Sequence, residues 1–163
     1  MRRAAVACAA AVFVALPAVS QECDISRATY AQPGTTWTLA FSPVPRESAA
    51  NQVNAFTIAI PGSDPARVIS GNIYVPNGAS PNWGTMTVPC GADGAVDCTP
   101  WEGTAYALVG DGIVPLPHQG DTAPAQVLFP GFSANVWYSE YRGALLGENE
   151  AMGDVFTFQG CAS

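Results

Sequence analysis

Short runs in which apolar and polar residues alternate recur along most of the chain. Alternation places every second side chain on one face of a β-strand, so each run predicts a strand with one face on a core. Further runs of similar length are rich in apolar residues. Together they predict eight strands, at residues 37–41, 56–60, 73–75, 86–88, 105–109, 113–116, 126–129 and 155–158.

Proline and glycine separate these predicted strands. Pro61-Gly62 and Pro130-Gly131 follow apolar runs directly, and proline removes a ladder donor while glycine allows the positive φ of a turn. The sequence Val-Gly-Asp-Gly-Ile at 109–113 predicts a tight hairpin with a primed turn. Short strands joined in this way indicate an all-β fold, either an antiparallel β-sandwich or a small barrel of about eight strands.

One segment, residues 136–146, fits a strand less well. Trp137, Tyr141 and Leu145 follow one another at intervals of four residues, which would place them on one face of a short helix that Gly147 ends. The aromatic content of the segment also allows a further strand. Both interpretations remain open from the sequence.

The first twenty residues have the pattern of a secretory signal peptide. Two arginines follow Met1, an apolar run extends from Ala4 to Leu16, and the small residues Ala18 and Ser20 stand where a signal peptidase reads. The apolar run is shorter than a membrane span requires. We therefore expect a signal peptide at 1–20 and one exported β-rich domain at 21–163, with no membrane span in the mature chain.

Four of the five cysteines remain after the predicted cleavage, and an even number in an exported chain indicates two disulfides. Three pairings are possible. Cys90 and Cys98 are close in sequence, and Cys23 and Cys161 lie at the two ends, so we predict the disulfides Cys90–Cys98 and Cys23–Cys161. An Arg- and Ala-rich signal and the absence of an Asn-x-Ser/Thr acceptor favour a bacterial protein that is periplasmic or secreted.

The chain is acidic, with 13 Asp and Glu against 6 basic residues, all of them Arg, and a net charge of −7. Loss of the two arginines in the predicted signal would lower this charge to −9. A nucleic-acid-binding surface needs clustered basic residues, so nucleic acid is excluded as a partner.

Motifs for catalysis or for a cofactor are missing from the sequence. His118 is the only histidine, and Asp111, Asp121 and Ser133 lie near it in the chain, but the residues around Ser133 do not form a nucleophile elbow. Asp93 and Asp97, with Glu102 just beyond, could offer oxygen ligands to calcium, although the spacing of a known calcium loop is absent. We predict no catalytic residue, no metal site and no cofactor.

Aromatic residues near predicted turns and strand ends are the remaining candidates for a binding site. An exposed aromatic ring can stack on a sugar or anchor a protein partner. The candidates are Trp83, Trp101, Trp137, Tyr138 and Tyr141, whereas Trp37 lies inside an alternating run and is predicted to be in the core.

The sequence thus favours an exported, non-catalytic binding module for a protein or an envelope glycan. One alternative is a small hydrolase in which carboxylates or His118 come together only in the fold. Another is an inhibitor of an exported enzyme, which would present the loop between Cys90 and Cys98 or the proline-rich loop at 115–118.

Overall fold

All eight predicted strands form, and two further strands join them in one antiparallel sheet. The computed structural model describes residues 23–48, 50–61, 67–76, 81–90, 96–139, 142–146 and 152–162; the predicted signal peptide, Asp93 and Tyr141 lie outside them. The strands are β1 (Ala28–Ala31), β2 (Thr38–Ser42), β3 (Gln52–Ile60), β4 (Arg67–Tyr74), β5 (Trp83–Cys90), β6 (Val96–Gly103), β7 (Tyr106–Val109), β8 (Gly112–Pro115), β9 (Gln126–Leu128) and β10 (Val155–Cys161). The all-β prediction is confirmed.

The sheet has the strand order β6-β5-β4-β3-β2-β1-β10-β9-β7-β8 and is curled into a half-barrel. Strands β1 to β6 form a meander in which each strand pairs with the next along the chain. In the middle of the sheet β1 pairs with β10, so segments from the two ends of the described chain lie side by side. The edges of the sheet are β6 and β8.

The inner face of the half-barrel carries the core. Alternate residues of each long strand point inward, as Phe56, Ile58 and Ile60 do on β3. Trp37 is fully buried, which confirms its predicted place in the core. Seven aromatic rings form a connected series of stacked, tilted and edge-to-face contacts through this core: Trp37, Phe132, Phe156, Phe129, Phe56, Phe41 and Tyr30. Such pairs add to the free energy gained by area burial alone.

The predicted hairpin is confirmed and connects β7 to β8. Gly110 has a φ of 57°, and in the described part of the chain no residue other than glycine has a positive φ. The positive φ therefore falls at the first of the two loop positions and not at Asp111, as in a type II′ turn. All four residues of β8 are exposed, so this strand forms a projecting edge of the sheet.

Two short helices form around 136–146, where the sequence allowed either one short helix or a further strand. Helix α1 is Phe132–Tyr138, and helix α2 is Arg142–Leu145. The backbone turns to an extended conformation at Ser139, which ends α1. Asp154, just before β10, stabilises the start of α1, because its two carboxylate oxygens accept hydrogen bonds from the backbone N–H groups of Gly131 and Ser133, each at 2.7 Å.

Residues 116–123, the closing segment, cross one end of the half-barrel. The side-chain amides of Asn82 and Asn54 donate to the carbonyl oxygens of Leu116 and Pro117 at 3.1 and 2.8 Å. Further along, the backbone N–H of Gln119 donates to the carbonyl of Val53. Both asparagines are buried, so their amides act as internal anchors for a segment without regular structure.

The two predicted disulfides are confirmed. Cys23 pairs with Cys161 and Cys90 pairs with Cys98, with Cα atoms 5.9 and 5.8 Å apart. The first disulfide joins the residues before β1 to the last residue of β10, beside the central strand pair.

No helix among the described residues has the length and apolar character needed to cross a membrane.

Candidate functional site

A pocket of about 490 Å³ lies between the edge strand β6 and helix α1. Its size is within the range of small-molecule sites in proteins. We call it the β6–α1 pocket; it is lined by Thr99, Pro100, Trp101 and Glu102 from β6, and by Ala134, Asn135, Tyr138 and Ser139 from α1 and its end. The lining therefore combines aromatic, amide, hydroxyl and carboxylate groups.

Glu102 connects this pocket to an exposed tryptophan on the neighbouring strand. The antiparallel register of β5 and β6 places Glu102 opposite Thr85, two residues from Trp83 on the same face. The indole Nε1–H of Trp83 donates to Glu102 Oε1 at 3.1 Å. This hydrogen bond fixes the orientation of a ring that is 43% exposed and holds the carboxylate at the rim of the pocket.

Next to Trp83 the outer face of the sheet offers further polar groups. Tyr74 on β4 stands directly opposite Trp83 in the strand register. The side-chain amide of Gln52 donates to Asn72 Oδ1 at 2.7 Å on the same face. Aromatic rings and neutral hydrogen-bonding groups thus continue from the pocket rim onto the sheet.

Helix α1 places Tyr138 at the pocket because its other face is buried. Phe132 and Val136 lie in the core, whereas Tyr138 is 86% exposed. The wall below the helix is fixed by Trp101, whose Nε1–H donates to the carbonyl of Pro130 at 2.9 Å. Strand β6 therefore positions Trp101 on one side of the pocket, and helix α1 positions Tyr138 on the other.

The structure brings some of the predicted aromatic residues together and separates others. Tyr138 lines the β6–α1 pocket. Trp83 is not part of the lining, but it is hydrogen-bonded to Glu102, which is. Trp101 contributes to its lining but is only 1% exposed, so its indole supports the wall and cannot serve as a stacking surface. Trp137 is exposed but does not line the pocket, and the guanidinium of Arg142 lies 3.4 Å from its ring centroid. Tyr141 is outside the described residues.

Two of the groups considered for a hydrolase, His118 and Ser133, do not come together. His118 is in the closing segment near the start of β3, and Ser133 is at the start of α1 beside Asp154, which precedes β10. Because β3 and β10 run in opposite directions within the sheet, these are opposite ends of the half-barrel. The carboxylate of Asp121 accepts a hydrogen bond from the backbone N–H of His118 at 2.9 Å.

Metal ligands also fail to cluster in the described part of the chain, where no group of three or more His, Cys, Asp or Glu residues is placed to hold a metal ion. Asp97 and Glu102 are on β6, five positions apart in sequence, while Asp93 lies outside the described residues. The predicted inhibitory loop between Cys90 and Cys98 falls largely in the same undescribed stretch.

The chain has no significant match to protein-family models, to curated proteins or to solved structures. The assignment of a function therefore depends on the chemistry of the site itself. The sequence pointed to Trp83 and Tyr138 by their aromatic character, but it gave Glu102 only as part of an acidic cluster. Asn135, Ser139 and Thr99 were not singled out, because no local pattern distinguishes them from ordinary surface residues.

Proposed function

We propose that the protein is an exported, non-catalytic module that binds a glycan in the β6–α1 pocket. The observation that carries this proposal is the exposed indole of Trp83, fixed by Glu102 beside a pocket lined by amide and hydroxyl groups. A sugar ring has a face of C–H groups and a rim of hydroxyl groups. It therefore needs an aromatic surface together with several fixed hydrogen-bonding groups.

The pocket, together with Trp83 next to Glu102, supplies both kinds of contact. Trp83 and Tyr138 offer exposed aromatic rings, of which Trp83 is already held in place by its hydrogen bond. Asn135 can donate and accept hydrogen bonds through its side-chain amide, and Thr99 can do so through its hydroxyl group. The hydroxyl of Ser139 already donates to the carbonyl of Val136 at 2.9 Å. A ring that is fixed before binding loses little side-chain freedom when the sugar docks, which favours affinity.

A glycan fits this surface better than a protein partner does. The centre of a protein interface is typically a large apolar patch from which charged groups are depleted. The β6–α1 pocket is instead concave, of ligand size, and has a carboxylate at its rim. The exposed apolar side chains of β8, Ile113 and Val114, belong to the opposite edge of the sheet.

A binding role is favoured over hydrolysis of the glycan. Glycosidases of the usual type use two carboxyl groups on either side of the scissile bond. Glu102 is the single carboxylate that lines the pocket among the described residues. Export is supported by the two disulfides and by the predicted signal peptide.

The test is binding of the oxidised protein, produced from the full chain, to a panel of immobilised oligosaccharides that includes cell-wall glycans. Trp83→Ala is expected to weaken binding about tenfold, by loss of the aromatic contact. Trp137→Ala is the matched control, because both tryptophans are 43% exposed and only Trp83 is hydrogen-bonded to Glu102 of the pocket lining. The control should bind like the wild type. Failure of every oligosaccharide to bind, or equal binding by the Trp83→Ala variant, would overturn the proposal.

A further inference from the structure

We infer that the glycan bound in the β6–α1 pocket carries a free amino group, which is received by the carboxylate of Glu102. This inference rests on the proposed function and specifies its ligand as an amino sugar that is not N-acetylated. Glu102 is exposed, and one of its carboxylate oxygens, Oε1, accepts the hydrogen bond from Trp83. Within the described residues the other oxygen, Oε2, has no hydrogen-bond partner and is available to a ligand.

Among the described residues, no arginine pairs with this carboxylate. The chain has no lysine, and four arginines lie outside the predicted signal peptide: Arg27, Arg46, Arg67 and Arg142. None of them lines the pocket. Arg142 comes nearest along the chain, in the helix after α1, but its guanidinium lies over the ring of Trp137. A cationic ligand would therefore supply the positive charge that the protein itself does not bring to Glu102.

The aromatic rings beside Glu102 reinforce the same preference. A protonated amine is attracted to the face of a tryptophan or tyrosine ring as well as to a carboxylate. Trp83 is hydrogen-bonded to Glu102, and Tyr138 lines the same pocket, so an amine at Oε2 would lie among groups that favour a cation. A uronic acid or a phosphorylated sugar would meet the carboxylate with a like charge, in a protein whose net charge is −7.

The experiment compares four tetrasaccharides with the same linkage, built from glucosamine, N-acetylglucosamine, glucose and glucuronic acid. Affinities for the oxidised protein from the full chain are measured by titration calorimetry at low salt. The glucosamine tetramer is expected to bind about fivefold more tightly than the glucose tetramer, the upper range for an exposed ion pair. The glucuronic acid tetramer should bind most weakly. The preference for glucosamine should shrink in roughly 1 M salt, where the Debye length is only about 3 Å.

Variants assign the preference to one carboxylate. Glu102→Gln retains an oxygen that can accept from Trp83 but removes the charge, so the ratio of glucosamine to glucose affinity should fall to about one. Asp111→Asn is the control, because Asp111 is an exposed carboxylate at the tip of the β7–β8 hairpin, and it should leave the ratio unchanged.

Equal affinity of the wild type for all neutral and amino tetramers would overturn this inference while leaving glycan binding intact. A preference that survives Glu102→Gln would also overturn it, and the absence of binding to any tetrasaccharide, combined with a negative oligosaccharide panel, would overturn both proposals.

Discussion

The aromatic ring of Phe56 on β3 lies against Gly71 on β4, in the place that a side chain at residue 71 would occupy. The two residues are cross-strand partners on the inner face of the sheet. Phe56 is also stacked on Phe129, with ring centroids 5.2 Å apart, so the ring cannot move away without disturbing the core. Because Gly71 has no side chain, the ring of Phe56 can pack against β4 and stay in contact with the other aromatic rings of the core.

We expect Gly71→Ala to lower the free energy of unfolding by about 1–3 kcal/mol, since the added methyl group would overlap the ring of Phe56. The measurement is urea denaturation followed by tryptophan fluorescence. Gly143→Ala is the matched control, because nothing lies within 4 Å of the place of its Cβ in helix α2. That variant should instead gain roughly 0.5–1 kcal/mol from helix propensity. A neutral effect of Gly71→Ala would show that the ring can shift freely.

Asp24 should make stability depend on pH in the acid range. Its pKa lies below the ordinary value of 3.8, chiefly because Oδ1 accepts a hydrogen bond from the backbone N–H of Ser26, with a further contribution from the N–H of Gly120. A depressed pKa means that the stabilising contribution is present above the unfolded pKa and is lost as the pH falls through the folded pKa.

The difference in free energy of unfolding between the wild type and Asp24→Ala is therefore expected to be constant from about pH 7 to about pH 5. It should shrink once the pH falls below the ordinary value of 3.8. Urea denaturation of both proteins across this range measures the difference, in which the protonation of other carboxyl groups cancels. A difference that grows as the pH falls would contradict the assigned direction of the pKa shift.

The two disulfides should contribute unequally to stability. Cys23 and Cys161 are 138 positions apart in sequence, whereas Cys90 and Cys98 are 8 positions apart. In the chain-entropy treatment, closing the long loop contributes about 5 kcal/mol and closing the short loop about 2.6 kcal/mol, both as upper limits. We expect Cys23→Ser with Cys161→Ser to lower the midpoint of urea denaturation more than Cys90→Ser with Cys98→Ser. The reverse order would show that native contacts, and not loop length, dominate.

Most of the sheet could be predicted from the sequence, because alternating positions on the long strands report which face is buried. The two missed strands lack that signal. Strand β1 is short and has two alanines among its four residues. Strand β6 contains Asp97, Pro100 and Glu102, and its register against β5 shifts between Met86 and Val88, so the alternation is broken.

The candidate site could be predicted only in part for a related reason. Aromatic character identified Trp83 and Tyr138, but the contact between Trp83 and Glu102 depends on how β5 and β6 pair. Trp101 has the same character in the sequence and is buried, because the bulged strand β6 turns its indole toward Pro130. The roles of Asn54 and Asn82 as internal anchors likewise depend on the path of the closing segment, which no local pattern encodes.

The pairing of β1 with β10 also joins parts of the chain that are far apart in sequence. The side chain of Thr29 donates a hydrogen bond to the carbonyl of Gly160, which is 131 residues away in sequence. The middle of the sheet is therefore held by a contact of long sequence separation. Nascent β1 to β6 can form their meander early, but the free side of β1 stays unpaired until β10 has been synthesised. Non-local pairing of this kind slows folding, and it leaves an open strand edge on the growing chain. Because Cys161 ends β10 and Cys23 precedes β1, formation of the Cys23–Cys161 disulfide reports that these two strands have come together.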